Sequence, residues 1–235
     1  MLELFSYGDA GWGDEILKGL LVTLELALVT LPVGLALGFL VAFAALSSNK
    51  ILRRLGTGYT TIMRGIPEIL TLFVVYNGLG LLLNAIYLGL WPDAEAIDLS
   101  PFLAGVIALA LVFAAFSAEV IRGAFNSLDP GQIEAGRAIG MRPGQILRRI
   151  KLPQVWRFAL PGLGNLWINL LKDTALVSVI ALDDLMRATK VAVGLTKQPF
   201  TFYLVACMLY WAMSLASEQI LARMEARANR GVRRV

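Results

Sequence analysis

Three side chains able to bind a polar solute recur at a spacing of four: Asn165, Asn169 and Asp173. Four residues is close to one helical turn, so all three fall on one helical face. Their neighbours are mostly apolar, which places the face in hydrocarbon, where a charge is costly and turns toward a cavity or a partner. Two chemistries fit this stripe. One is hydrogen bonding between helices. The other is a path for a polar solute, along which Asp173 attracts a cation through a low-dielectric medium. Lys172 sits about 100° round the helix from Asp173, so spacing alone does not pair them. Glu25 is a second acidic candidate for such a path, and snorkelling to the interface is its competing reading. Glu119 and Arg122, three apart, can pair on one helix. Arg64 and Glu68, four apart across Pro67, are expected to form a local ion pair.

The absent chemistry is equally informative. The 235 residues include no histidine and one cysteine, Cys207. That excludes an internal disulfide, a cysteine metal cluster and any Ser-His or Cys-His catalytic pair. No metal site is expected, and no phosphate loop of the G-x-x-x-x-G-K-[S/T] type occurs.

The elements that must carry these residues are membrane spans. Hydrophobic residues make up 57% of the chain, charged residues 16%, and the mean hydropathy is +0.70. Soluble domains run near 45–50% apolar and about 25% charged. A crossing needs about 20 apolar residues, and five stretches supply them, roughly 19–46, 66–90, 101–125, 159–181 and 200–222. The first is preceded by Glu3, Asp9, Asp14 and Glu15 against Lys18 alone, so it reads as a retained span rather than a cleaved signal peptide. An acidic turn with Asp93, Glu95 and Asp98 separates the second and third, and a polar stretch from Asp183 to Pro199 separates the fourth and fifth.

Charge orients the spans. Lys50, Arg53, Arg54 and Arg64 follow the first. Arg122, Arg137, Arg142, Arg148, Arg149, Lys151 and Arg157 surround the gap after the third. Arg223, Arg227, Arg230, Arg233 and Arg234 form the tail. These are sixteen of the 21 basic residues, and the other side holds four: Lys18, Arg187, Lys190 and Lys197. The positive-inside rule then puts the N-terminus outside and the C-terminus in the cytoplasm. Topology and lipid head-group contact account for most of this charge. No nucleic-acid-binding signature accompanies it.

The gap between the third and fourth spans is punctuated as two short helices. Asp129–Pro130 is an N-cap followed by a first-turn proline. Ile133, Ala135, Ala138 and Ile139 give the first helix an apolar surface, and Gly140 suits its left-handed C-terminus. Arg142–Pro143 starts a second helix through Ile146, Leu147 and Ile150, which Pro153 is expected to stop. An apolar face on a cytoplasmic loop needs a cover. The membrane surface, the chain's own spans and a docked partner all qualify.

The run Glu134-Ala135-Gly136-Arg137-Ala138-Ile139-Gly140, with Ile150-Lys151-Leu152-Pro153 behind it, resembles the EAA loop of ATP-binding-cassette importer permeases. Gly136 departs from that pattern, which has alanine at the third position. Arg64-Gly65-Ile66-Pro67-Glu68, Ala118-Glu119-Val120-Ile121-Arg122-Gly123 and Lys172-Asp173-Thr174-Ala175-Leu176 are similar to three further blocks of the polar amino-acid permeases, nearest the histidine and octopine/nopaline type. The resemblance runs from about Thr23 to the last span.

It implies an all-α, five-span permease of the type I importer fold over 1–235, with a coupling helix in the loop at about 129–153. Glu134, Ala135, Gly136, Arg137, Gly140 and Arg142 would meet a cytoplasmic ATPase dimer, which would bind the ATP and Mg; no cofactor is expected in this chain itself. The resemblance also implies a second related permease, as a heterodimer or a homodimer, and an extracytoplasmic solute-binding protein. The expected cargo is a basic or polar amino acid or an opine-like derivative, with Asp173, Asn169, Asn165 and Glu25 as substrate-site candidates. Two other readings compete. A self-sufficient secondary transporter or channel usually needs paired repeats, and none is evident. A membrane anchor of a redox complex lacks histidine ligands for haem.

Overall fold

The structure is a computed structural model that describes residues 2–8, 11–92, 94–97 and 99–230. Asp9, Asp93, Asp98, Arg233 and Arg234 lie outside the described residues. Among those described, every regular element is helical. Helix α1 is Gly13–Ala45, and α2, Lys50–Gly65, returns from it. A short α3, Glu68–Phe73, passes through a π-turn, Val74–Leu79, into α4, Gly80–Leu90. Helix α5 is Pro101–Asn126 and α6 is Pro130–Ala138. A turn of helix α7, Pro143–Ile146, runs through a π-turn, Leu147–Lys151, into α8, Leu152–Asp173, which tightens to a 3₁₀ segment, Thr174–Ile180. Helix α9 is Leu185–Thr196 and α10 is Pro199–Ala228.

Four of these are long and apolar enough to cross a membrane: Gly13–Ala45, Glu68–Leu90, Pro101–Asn126 and Pro199–Ala228. Pro143–Ile180 with Leu185–Thr196, bent by 53°, makes a further crossing when taken as one. Helix α5 is the central element, packed against α1, α2 and α8. Small residues bring α1 and α5 together: a Cβ on Gly34 would strike Phe113, and one on Gly38 would strike Ser117. In lipid, where tails are as apolar as leucine, such close backbone contact is what holds helices together.

Three sequence expectations change. Pro153 does not stop the loop's second helix. The π-turn directly before it, in which the Leu152 N–H donates to the Leu147 carbonyl, shifts the hydrogen-bond register. Pro153 therefore falls in the first turn of a new segment, where its missing N–H costs little. The polar stretch from Asp183 to Pro199 is largely helix α9. Asp184 caps it, accepting from the Arg187 N–H at 2.9 Å, and Leu185, Thr189 and Ala192 form its buried face. Third, Arg64 does not pair with Glu68. It reaches Glu119 instead, 3.9 Å away on α5.

Candidate functional site: a carboxylate-lined cavity beside an ion-pair cluster

Asp173 ends α8, and Glu68 opens α3 directly after the break at Pro67. Both line one cavity of about 60 Å³, together with Asn169 and, from α5, Leu109, Val112, Phe113 and Phe116. The α5 residues are the middle of a helix running from Pro101 to Asn126, so the cavity lies near the middle of the bundle's depth. A cavity needs about 10–15 Å³ of such space for one water, so this one admits a few waters and is too small for a whole amino acid. Two carboxylates sharing a site disfavour each other's charge, and a cation between them relieves that repulsion. Lys172 is exposed.

Of the residues singled out from sequence, Asn169 and Asp173 come together here. Asn165, on the same helix, is exposed and does not line the cavity, and Glu25 is exposed on α1. Sequence spacing offers Glu68 only as an ion-pair partner of Arg64. The signal was available: a carboxylate directly behind Pro67 opens a helix that needs its first-turn N–H groups satisfied.

A second cluster adjoins the cavity. Glu119 accepts from Thr60 Oγ1 at 3.0 Å, ion-pairs with Arg122 and faces Arg64. Arg64 stacks over the Phe116 ring at 5.6 Å, and Phe116 also lines the cavity. Tyr59 Oη donates to the Leu111 carbonyl at 2.8 Å. Helix α2 is thereby pinned to α5 beside the cavity.

The third feature is the loop after α5. Asp129 accepts from the Gly131 N–H at 2.8 Å and caps α6, and Gly140 takes φ +79° behind it. Gly136 is buried because a Cβ there would lie 2.8 Å from Ile150 Cδ1. Glycine at this position therefore lets α6 sit against the π-turn. Glu134, Ala135, Arg137 and Arg142 are exposed, and Ile139 is 78% exposed. The chain's own spans do not cover this surface.

A family model described as "binding-protein-dependent transport system inner membrane component" matches residues 34–230. The chain belongs to this family. Among its relatives, the nopaline transport system permease protein NocQ of Agrobacterium fabrum is 45% identical over 99% of this chain and 98% of the relative. The arginine ABC transporter permease protein ArtQ of Escherichia coli is 42% identical over 91% of this chain and 94% of its own length. A solved amino acid ABC transporter crystallised with histidines superposes with a TM-score of 0.79 at 32% identity, covering 92% of this permease and 95% of that chain. Membership accounts for the match between the loop blocks and an inner-membrane importer component.

Proposed function

We propose that this chain, the permease subunit of an amino-acid importer, carries a cationic amino acid or opine past Asp173 and Glu68. It is driven by a separate ATPase that docks on α6. The observation that carries the substrate assignment is the pairing of two carboxylates and Asn169 on one cavity near the middle of the bundle. A cationic side chain gains from both charges where the dielectric is low, and transporter sites near the membrane midplane are a recurrent arrangement. The relatives' names, nopaline and arginine, support cargo of the same chemistry. The cavity is too small to hold that cargo, so the path is completed between this chain and a second permease. Asn165 and Glu25 belong to that wider path or to the bundle surface.

The bent pair counts as one crossing, which gives five spans, an outer N-terminus and a cytoplasmic C-terminus. Helix α6 with Gly140 then lies on the cytoplasmic side as the coupling element, and its exposed Ile139 supports a docked partner over self-burial. ATP and Mg are bound by the ATPase, and solute arrives from an extracytoplasmic binding protein. A reporter fused to the C-terminus tests the orientation, with cytoplasmic activity expected. The function is tested by reconstituting the permease pair with its ATPase and binding protein. Arginine or an arginine-derived opine should stimulate ATP hydrolysis more than glutamine. Equal stimulation would sink the charge assignment, and uptake by the purified chain on an ion gradient without ATPase would sink the coupling assignment.

A further inference from the structure

Glu68 and Asp173 pose a charge problem that a cationic cargo solves only while it is bound. Both face one space of about 60 Å³, and every other wall residue except Asn169 is apolar. Asn169, one turn before Asp173, offers an amide N–H to an ionised oxygen but brings no charge. The nearby cations are engaged elsewhere. Arg64 lies over the Phe116 ring and faces Glu119, and Arg122 is paired with Glu119. Lys172 and, on α1, Glu25 are exposed and outside the cavity. Among the described residues, no lysine or arginine lines it, and no titratable group besides the two carboxyls does. Fully ionised, the pair would hold two like charges across a space a few waters wide. Apolar walls weaken repulsion less than bulk water does. Carboxyls in such a site keep a proton between them, and they titrate as a unit rather than residue by residue. A cationic side chain entering the cavity brings the same single positive charge as that proton, so the two compete for one place.

We propose that cargo loading is a cation-for-proton exchange: the guanidinium or ammonium group of the cargo displaces one proton held between Glu68 and Asp173, and that proton leaves to solvent. The exchange rests on the assignment, made above, of this cavity as the cargo's cation site. Charge balances across the step. Two carboxyl groups sharing one proton carry a single net negative charge, and two carboxylates with one bound cationic group carry the same. A neutral amino acid brings nothing to replace the proton, so its binding moves none. The sign of the pH dependence follows. At high pH the pair has already given up its proton and binds a cation most tightly. As pH falls, protons compete, and affinity for the cation drops by up to about tenfold per pH unit for one exchanged proton.

The test measures the heat of arginine binding to the assembled permease pair and ATPase in two buffers of different ionisation enthalpy. The difference between the heats counts the protons released. The binding protein is left out, because its own arginine site would add to the signal. Glutamine is the reference, since it carries the same α-ammonium and α-carboxylate groups, and the guanidinium of arginine stays protonated throughout. Arginine should release about one proton more than glutamine near pH 6, falling toward none by about pH 8.5, while its affinity rises over the same interval. Glu68→Gln, which leaves a single carboxyl in the cavity, should cut the release to less than half. Glu68→Asp, which keeps both, should retain it. Arginine that binds without releasing more protons than glutamine overturns the exchange, as does release that Glu68→Gln leaves intact. A flat affinity for arginine across that interval overturns it without any variant. In each of these cases, tighter binding of arginine than of glutamine leaves the cavity's charge assignment standing. Equal binding of the two removes both.

Discussion

Helix α5 and the segment Glu68–Leu90 are nearly equally apolar, with mean hydropathies of 2.3 and 1.9 over their most apolar 18 residues, yet 72% of those residues are buried in the first against 17% in the second. Their small residues make the difference. Helix α5 turns Ala104, Gly105, Ala108, Ala114, Ala115, Ser117 and Ala118 into the bundle. The other segment presents Leu81, Leu82, Ile86 and Leu90, each more than half exposed. Apolarity admits a helix to the membrane. Small side chains then decide which helix is surrounded by protein, because lipid competes with every large apolar contact on equal terms. The bare segment keeps its large apolar side chains outside the bundle, and it carries Glu68 to the cavity from the bundle's edge.

The sharpest way to break this contrast is to spoil the α1–α5 approach. Gly38→Leu forces a large side chain onto Ser117 and the Ala114 carbonyl. It is expected to cost about 1–3 kcal/mol or more and to remove most of the protein from the membrane, read by thermal unfolding in detergent. Leu82→Ala, on the bare segment, should leave the melting temperature unchanged. An equal loss at both sites would refute the distinction.

Next in size is the loop, exposed like the bare segment but polar. Glu134→Lys, or Gly140→Leu at φ +79°, should leave expression intact and reduce uptake at least tenfold, with the ATPase lost on co-purification. The glycine change adds about 1–3 kcal/mol of local backbone strain. Normal uptake and normal ATPase recovery in both variants would exclude docking on α6.

A smaller effect is expected at the cavity. Asp173→Asn or Glu68→Gln should weaken transport of arginine about tenfold, for an interaction of about 1.4 kcal/mol, and that of glutamine little. Similar losses for both cargoes would make the carboxylates packing elements. The smallest effect belongs to Gly136→Ala. The added methyl meets the flexible tip of Ile150, which can move aside, so uptake should stay within about twofold of the parent. Gly136→Leu, by contrast, should match the Glu134 variant.

Much of this permease was legible in its residues. Spans, caps and loop punctuation follow from local rules: apolar length, an aspartate before a proline at 129–130, a glycine at 140. The Glu119–Arg122 pair was legible because both residues share one helix. What remained hidden involves residues that meet across helices or a hydrogen-bond register that shifts within one. Arg64 has Glu68 four residues away in sequence. Pro67 breaks the helix between them, and the α2–α5 packing brings Glu119 within reach instead. Asn165 and Asn169 have the same spacing and residue type, but only Asn169 reaches the cavity. Helix α9 has a buried face of Leu185, Thr189 and Ala192, too short and too polar to stand out in the sequence. It is held instead by close approach: Gly19 lies against the Asp184 carbonyl, and the Leu185 N–H donates to Thr23 Oγ1 at 3.2 Å.

The sequence by itself determined that this chain lives in a membrane, where along it the positive charge gathers, and that it belongs to a binding-protein-dependent transport family. These depend on composition and on motifs a few residues long. Only the tertiary structure decided that Glu68 joins Asp173, that Arg64 serves Glu119, and that an apolar groove opens between α1, α8 and α10. Each of these depends on the distance between helices far apart in the chain, and that distance is fixed by which small residues happen to face one another.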